Sequence, residues 1–459
     1  METQQRFLSL SLLLLILAPC SAMAQARFPD AHDKPMQERQ GPVFRLSQDY
    51  PVTLPTGGVA PWAGIDFKKN PKDYLQAVLS YAYEGNVTND WYAEKNTVRR
   101  WYHAPWMHWG DKGREFIHGM TRERTSRACE LSIDQNKEHQ TWAVSMYNDL
   151  GGYVLGRVWA NPAGPNPAAA AEFPPGTVAV KLLFTQATPQ QVPYLSGAPE
   201  WEAHIEIQPG VRDIATLRLL QIDIAVRDER AKTWTGWVFG TFQYDAGVKN
   251  KDPWQKMTPV ALMWGNDPGF TQKDYDAGRR PIQSWINRKA PIVKYRREWH
   301  LEMGWAGRAN GPVDDQRSSC LSCHSTSQYP AYADLVPSAS ATKDEDKLVW
   351  FRNLKGKAFG PEAQPLDNSL QLAAGIQNFY EWVATVQGLG AKGPAKLPPT
   401  PRKTVIDCEA VLSAAAKAGG TMKESIVHGA HLLTIHDVSR DPEAPAIKTL
   451  PLPEPVSPP

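Results

Sequence analysis

Five consecutive residues, Cys320-Leu321-Ser322-Cys323-His324, concentrate the reactive side chains of this sequence. Two thiols separated by two residues, with an imidazole directly after the second, have the spacing at which sulfurs add across the two vinyl groups of a haem while the histidine ligates its iron. Cys320 and Cys323 are therefore the expected thioether anchors of one covalently attached haem c, and His324 is the expected proximal iron ligand. A zinc site would need a second pair of Cys or His at ligand spacing, and none stands nearby. A thioredoxin-like redox pair would open a helix after a strand, whereas this pair follows the loop-like run Gly307-Arg308-Ala309-Asn310-Gly311-Pro312 and then Ser318-Ser319.

The opposite axial ligand is not marked by any motif. Met422 is the only methionine downstream of His324 and stands far beyond it, past a Gly/Pro/Lys-rich stretch, while Met303 lies just upstream and Met257 and Met263 flank a Trp/Pro segment. A thioether from Met422 or Met303 would raise the potential and suit electron transfer, and an open position would admit a small ligand. His103, His108 and His118 stand among aromatics and Arg114, where one could supply a distal imidazole or Arg114 a distal donor, although a lone histidine is more often a satisfied structural residue. His204 shares a strand face with Glu202 and Glu206, and His428 and His431 are three apart without a carboxylate to complete a metal site. His300 closes the basic run from Lys294, which could pair haem propionates.

The remaining 459-residue chain must position these groups, and it is too long to be a minimal haem wrapper. Residues 1–24 read as a secretory signal peptide, with Arg6, the apolar run Leu12 to Leu17 and Ala22-Met23-Ala24 as cleavage site, which points to a bacterial periplasmic or secreted protein. Lipidation at Cys20 is the competing reading, disfavoured by Pro19. No other apolar run is long enough to span a bilayer. Of five cysteines, Cys129 and Cys408 remain once Cys20 and the pair at 320 and 323 are assigned, and they either pair or stay as separate buried thiols. A net charge of +2 and an exported address argue against a nucleic-acid partner.

Periodicity predicts a helix over Pro71–Tyr83 and then period-two strands from about Tyr153–Trp159 through Val178–Thr185, Trp201–Gln208, Leu217–Val226 and Trp234–Tyr244. Seventeen tryptophans suit the core of such a sheet. Helices are expected again over Leu366–Val386, after Asp367-Asn368-Ser369 as a helix start, and near Glu409–Ala418, with 388–401 as a linker and a Pro-rich tail from Asp441. The expected fold class is α+β: a β-rich antiparallel sheet domain, sandwich or barrel-like, over 25–300, a smaller, mainly helical haem segment over 301–400, and a terminal helix and tail over 401–459.

The attachment sequence resembles that of the c-type cytochrome group, within Met303-Gly304-Trp305 to His324. Phe173-Pro174-Pro175-Gly176-Thr177-Val178-Ala179-Val180-Lys181 and Gly236-Trp237-Val238-Phe239 resemble β-sheet c-type haem proteins, among them a hydroxylamine-oxidising enzyme and the β form of cytochrome c prime. That likeness implies a haem motif following the sheet, with iron five-coordinate or open to small gaseous ligands. Phosphate-loop, zinc-helix and nucleophile-elbow motifs are absent. Three readings follow: an electron carrier that docks a redox partner protein, a haem enzyme or small-ligand-binding protein with an open iron site, and a Trp-rich module that binds an extracellular ligand.

Overall fold

The computed structural model describes residues 41–386 and 405–417, apart from 57, 108–113, 162–163, 209–210, 332–333 and 356. The signal peptide with Cys20, His108, the 388–401 linker, Met422, His428, His431 and the Pro-rich tail lie outside the described residues.

Helix α1 spans Pro71–Tyr83 as its periodicity predicts, with Tyr74, Leu75, Val78 and Leu79 all buried. Asn70 holds the cap position through its carbonyl, which accepts from Tyr74 N, and makes no side-chain cap bond. Strands β1 (Trp101–Tyr102), β2 (Thr121–Ser126) and β3 (His139–Asn148) lead into helix α2 (Asp149–Val158). Strands β4 (Val178–Thr185), β5 (Glu200–Gln208), β6 (Val211–Arg227), β7 (Trp237–Tyr244) and β8 (Met257–Met263) follow, then α3 (Gln272–Asp276), β9 (Ser284–Ile286) and α4 (Pro291–Glu298). The chain continues through α5 (Cys320–His324), β10 (Gln328–Tyr329), α6 (Asp344–Leu348), β11 (Gln364–Pro365), α7 (Leu370–Val386) and α8 (Cys408–Lys417).

The predicted strand over Tyr153–Trp159 is instead helix α2. The Asn148 side chain accepts from Gly151 N, an N-cap that turns the end of β3 directly into a helix. Val154, Leu155 and Val158 then recur at helical spacing and are buried.

Nine strands form one antiparallel sheet in the order β1-β3-β4-β6-β7-β8-β9, with β2 beside β1 along β3 and β5 beside β4 along β6. The fold is thus α+β and β-rich, and among the described residues the two ends of the sheet path are not paired with each other. Its first face carries Val180, Leu182, Phe184, Ile222, Ile224, Val238 and Phe242, all buried, against α1. Gly240 on β7 leaves the room that Leu75 occupies. Among the described residues ten tryptophans, including Trp101, Trp142, Trp159 and Trp237, are buried, so the aromatic wealth goes largely into packing.

The second face is mixed. Its rows run Ala143, Ser145, Tyr147 on β3, then Leu183, Lys181, Ala179 on β4, Gln221, Asp223, Ala225 on β6, and Gln243, Thr241, Phe239 on β7. The chain beyond position 290 covers it, and the apolar core runs on from the sheet into Leu321, Leu366, Leu372, Ile376 and Phe379.

Cys129 and Cys408 form a disulfide, of the two readings open for these thiols, and it ties α8 to the loop after β2 beside Ala128, Leu301 and Leu412. Cys408→Ser should lower the unfolding free energy by about 2–4 kcal/mol. Urea unfolding of the variant and of reduced wild type against oxidised wild type checks this, and curves that superimpose on the oxidised one would show that the bridge adds nothing.

Candidate functional site

The five-residue helix α5 is opened by reciprocal bonds: Ser319 Oγ accepts from Ser322 N at 3.2 Å and Ser322 Oγ from Ser319 N at 2.7 Å. The Ser319 hydroxyl also donates to Asn266 Oδ1 at 3.0 Å, tying the cap to the loop after β8. Cys320 and Cys323, three apart, lie on the same side of this turn. Both thiols are free and partly exposed, and they are not joined to each other.

Hydrogen bonds hold the segment to the mixed sheet face. Gln243 Oε1 accepts from Ile292 N at 2.9 Å, Gln221 Oε1 from Val313 N at 3.0 Å, and Met263 Sδ from Leu321 N at 3.4 Å. Tyr147 Oη and Ser369 Oγ share a bond of 2.6 Å at the start of α7. Each sheet side chain reaches up from a residue whose neighbours along the strand point the other way.

His324 Nδ1 lies 2.8 Å from the Asn368 carbonyl, so that nitrogen carries the proton and donates, leaving Nε2 as the lone-pair nitrogen. Its ring packs on Phe239 at 4.4 Å between centroids. Burial lowers the imidazole to about 4, with the Asn368 bond opposing, which keeps it neutral as a ligand must be. The carbonyl is aimed by two left-handed residues, Asp367 (φ 43°) and Asn368 (φ 66°). Buried Asp367 imposes that turn: its carboxylate accepts from Phe173 N at 2.8 Å and Trp237 Nε1 at 3.0 Å, and lies 3.5 Å from Arg227 Nε. The 367–369 stretch thus does more than start a helix, and its role in aiming His324 exists only in three dimensions.

Around the thiols the second face is polar. Lys181, Asp223 and Thr241 are direct cross-strand neighbours on β4, β6 and β7. Lys181 Nζ donates to Glu123 Oε2 at 2.9 Å, Gln221 Nε2 donates to both Asp223 oxygens at 2.8 Å, and Gly311 N donates to Asp314 Oδ2 at 2.9 Å. Burial drives Asp223 up to about 7, with the Asp314 charge adding and Lys181 opposing. Burial likewise raises the Cys320 thiol well above its ordinary value, helped by Asp314 and Asp223, and brings Cys323 to about 12. Yet Asp223, Asp314, Cys320, Cys323 and His324 all keep some accessible surface. These groups are desolvated without being fully covered, and the charges of Asp223 and Asp314 act on the Cys320 thiol. Lys181 and Asp223 had a sequence signal, since each is a charge set between apolar neighbours in Val180-Lys181-Leu182 and Ile222-Asp223-Ile224.

These residues fit a covalent haem. The thiols are protonated, accessible and unpaired, His324 presents Nε2, and Ala179 and Ala225, beside Phe239 in one row, have no side chain beyond Cβ to fill the space. Raised thiols do not suit a nucleophilic redox pair, which needs a lowered value. Among the described residues no group of three or more His, Cys, Asp or Glu is placed to hold a metal ion.

Other candidates have partners elsewhere. Met303 is buried, with its sulfur 3.6 Å from Arg296 Nη1. His118 stacks on Trp201 at 4.0 Å and bonds Asp90 Oδ2 and the Glu202 carbonyl. Arg114 donates to the carbonyls of Gly119 and Ala104. His103 Nδ1 accepts from Ser47 N, and His204 packs on Phe116. No protein family matches the chain, nor does any curated protein or solved structure.

Two predictions follow from buried groups here. Asp367→Ala should cost roughly 3 kcal/mol, because Arg227 loses a buried partner, and guanidinium unfolding that matches wild type would refute the anchoring role. Burial holds His139 near 4 and His103 well below its ordinary value, so their unfolded forms protonate first as pH falls. The stability they contribute is complete above about pH 6.5 and drains toward pH 4, by roughly 3 kcal/mol for His139 alone. Unfolding free energies across that window, in wild type and His139→Gln, check the sign and the share.

Proposed function

We propose that this chain is an exported mono-haem c-type cytochrome that transfers electrons, with one haem c joined through Cys320 and Cys323 and His324 as its proximal iron ligand. The observation that carries this reading is the His324 imidazole, fixed in one tautomer by the Asn368 carbonyl, one residue past two unpaired thiols on one side of a short helix. When bound, the haem supplies one-electron chemistry at iron. The protein's own part is to hold Nε2 in place, to raise the basicity of the imidazole through the Nδ1 bond, and to keep the site desolvated against the sheet. Residues 301–400 act as the haem segment, residues 25–300 as the sheet that backs it, and the partner is a redox protein that docks near the thiols.

Export is supported by the Cys129–Cys408 disulfide, which belongs to an oxidising compartment, and by residues 1–24. No helix among the described residues is long and apolar enough to cross a membrane.

A second reading, a haem enzyme or small-ligand-binding protein with an open iron position, is favoured by one observation: Met303, His103, His118 and Arg114 each have a polar atom or sulfur engaged by the fold.

Expression in a host that matures c-type cytochromes should give a product heavier by one haem, retained under denaturing conditions. Cys323→Ala should reduce that retention, and His324→Ala should keep attachment but alter the visible spectrum. An unmodified wild-type mass would overturn the assignment. A high-spin ferrous spectrum that shifts with carbon monoxide would select the second reading over the first.

A further inference from the structure

Two adjacent aspartates have opposite fates. Against the cost of burial, Arg317 and then Arg127 hold Asp315 well below the usual carboxylate range, with Arg317 donating to Oδ1 at 3.1 Å and to Oδ2 at 2.8 Å. Asp314 turns inward, where its oxygen is fixed by Gly311 N and its charge opposes that of Asp223. Gln221 links the two positions, since its amide donates to Asp223 while its carbonyl holds Val313 N.

Two of the cations nearby are paired with carboxylates, and Arg296, on which the Asp314 charge also acts, donates to the carbonyls of Met303 and Pro312. Lys181 is bonded to Glu123, and Arg124 is bonded to Glu130 by two hydrogen bonds of 2.6 and 2.8 Å. Among the described residues neither Asp223 nor Asp314 makes an ion pair, and burial outweighs the pull of Lys181 on both and of Arg124 on Asp314. Like charges so placed share a proton rather than both ionising. Thr241 adds a fully buried hydroxyl next to Asp223 in the row, and its interaction with that carboxylate partly offsets the effect of burial. Helix α5 presents only Cys320, Cys323 and His324 to this side, and none of them is charged near neutrality.

We propose that Asp223 and Asp314 form a proton-carrying pair facing the haem site, which takes one proton from solvent when the haem accepts one electron from an external donor and releases it on oxidation. The inference rests on the haem-binding reading and adds a proton step to it. The electron enters from the redox partner, or from a mediator in the laboratory. The proton bonds to a carboxylate oxygen of the pair and offsets the added negative charge. Ionisation of the pair favours the oxidised iron, so the midpoint potential should fall as pH rises.

The test uses the holoprotein. Mass spectrometry first establishes haem attachment in wild type, Asp223→Asn, Asp314→Asn and Asp223→Glu, and an unmodified wild type would sink the haem reading and this inference together. Mediated redox titrations then span roughly pH 5 to 9, either side of the shared titration. Wild type should approach a slope of about 59 mV per pH unit, the one-electron equivalent of a tenfold change in proton activity. Asp223→Asn should flatten the slope and Asp223→Glu should keep it. A flat wild type, or a wild-type slope retained in both asparagine variants, overturns the proposal while leaving haem attachment intact. Should the variants lose haem, the wild-type infrared difference on reduction decides: a protonated carboxyl band that moves on carbon-13 labelling of aspartate supports the pair, and its absence overturns it.

Discussion

A sheet with one apolar and one mixed face needs two different kinds of cover. The apolar face of this one is closed by α1 mainly through side-chain packing, with Tyr81 Oη accepting from Asn148 Nδ2 on β3. The mixed face carries Lys181, Asp223, Gln221, Thr241 and Gln243, which oily cover would strand without partners. Backbone N–H groups of the 291–321 segment supply part of that cover by donating to Gln243, Gln221 and Met263. The position of the Cys-x-x-Cys-His turn follows from these few directional bonds, because they set where α5 meets the strands.

Directional cover has a consequence for the site. Packing alone tolerates small slides, whereas hydrogen bonds to fixed side chains define a register. The turn that aims Asn368 obeys the same rule: two non-glycine residues in the left-handed region persist because Asp367 is anchored from β7, from Phe173 and by Arg227. His324 therefore inherits its orientation from the sheet, although its nearest sequence neighbours belong to α5.

Leaving two carboxylates unpaired in such a place costs stability, since desolvated charge without a partner is expensive. The neighbouring Asp315 shows that the same loop can neutralise an aspartate with two arginines. Charge is thus unevenly matched across a few residues, and the uneven part faces the thiols.

Much of this was legible in the sequence. The local periods of Pro71–Tyr83, Val178–Thr185 and Trp201–Gln208 specified their elements, and the order of Cys320, Cys323 and His324 specified a candidate chemistry, because both depend on residues within a few positions of each other. Tyr153–Trp159 misled, because a short apolar run suits a strand or a helix and the Asn148 cap, at a strand end, decides for helix. The pairing of Cys129 with Cys408, the aim of Asn368 at His324, and the meeting of Asp223 with Asp314 join residues distant along the chain. Only tertiary structure decided them, since sheet order and the path of the covering segment determine which side chains share a face and which are cut off from water.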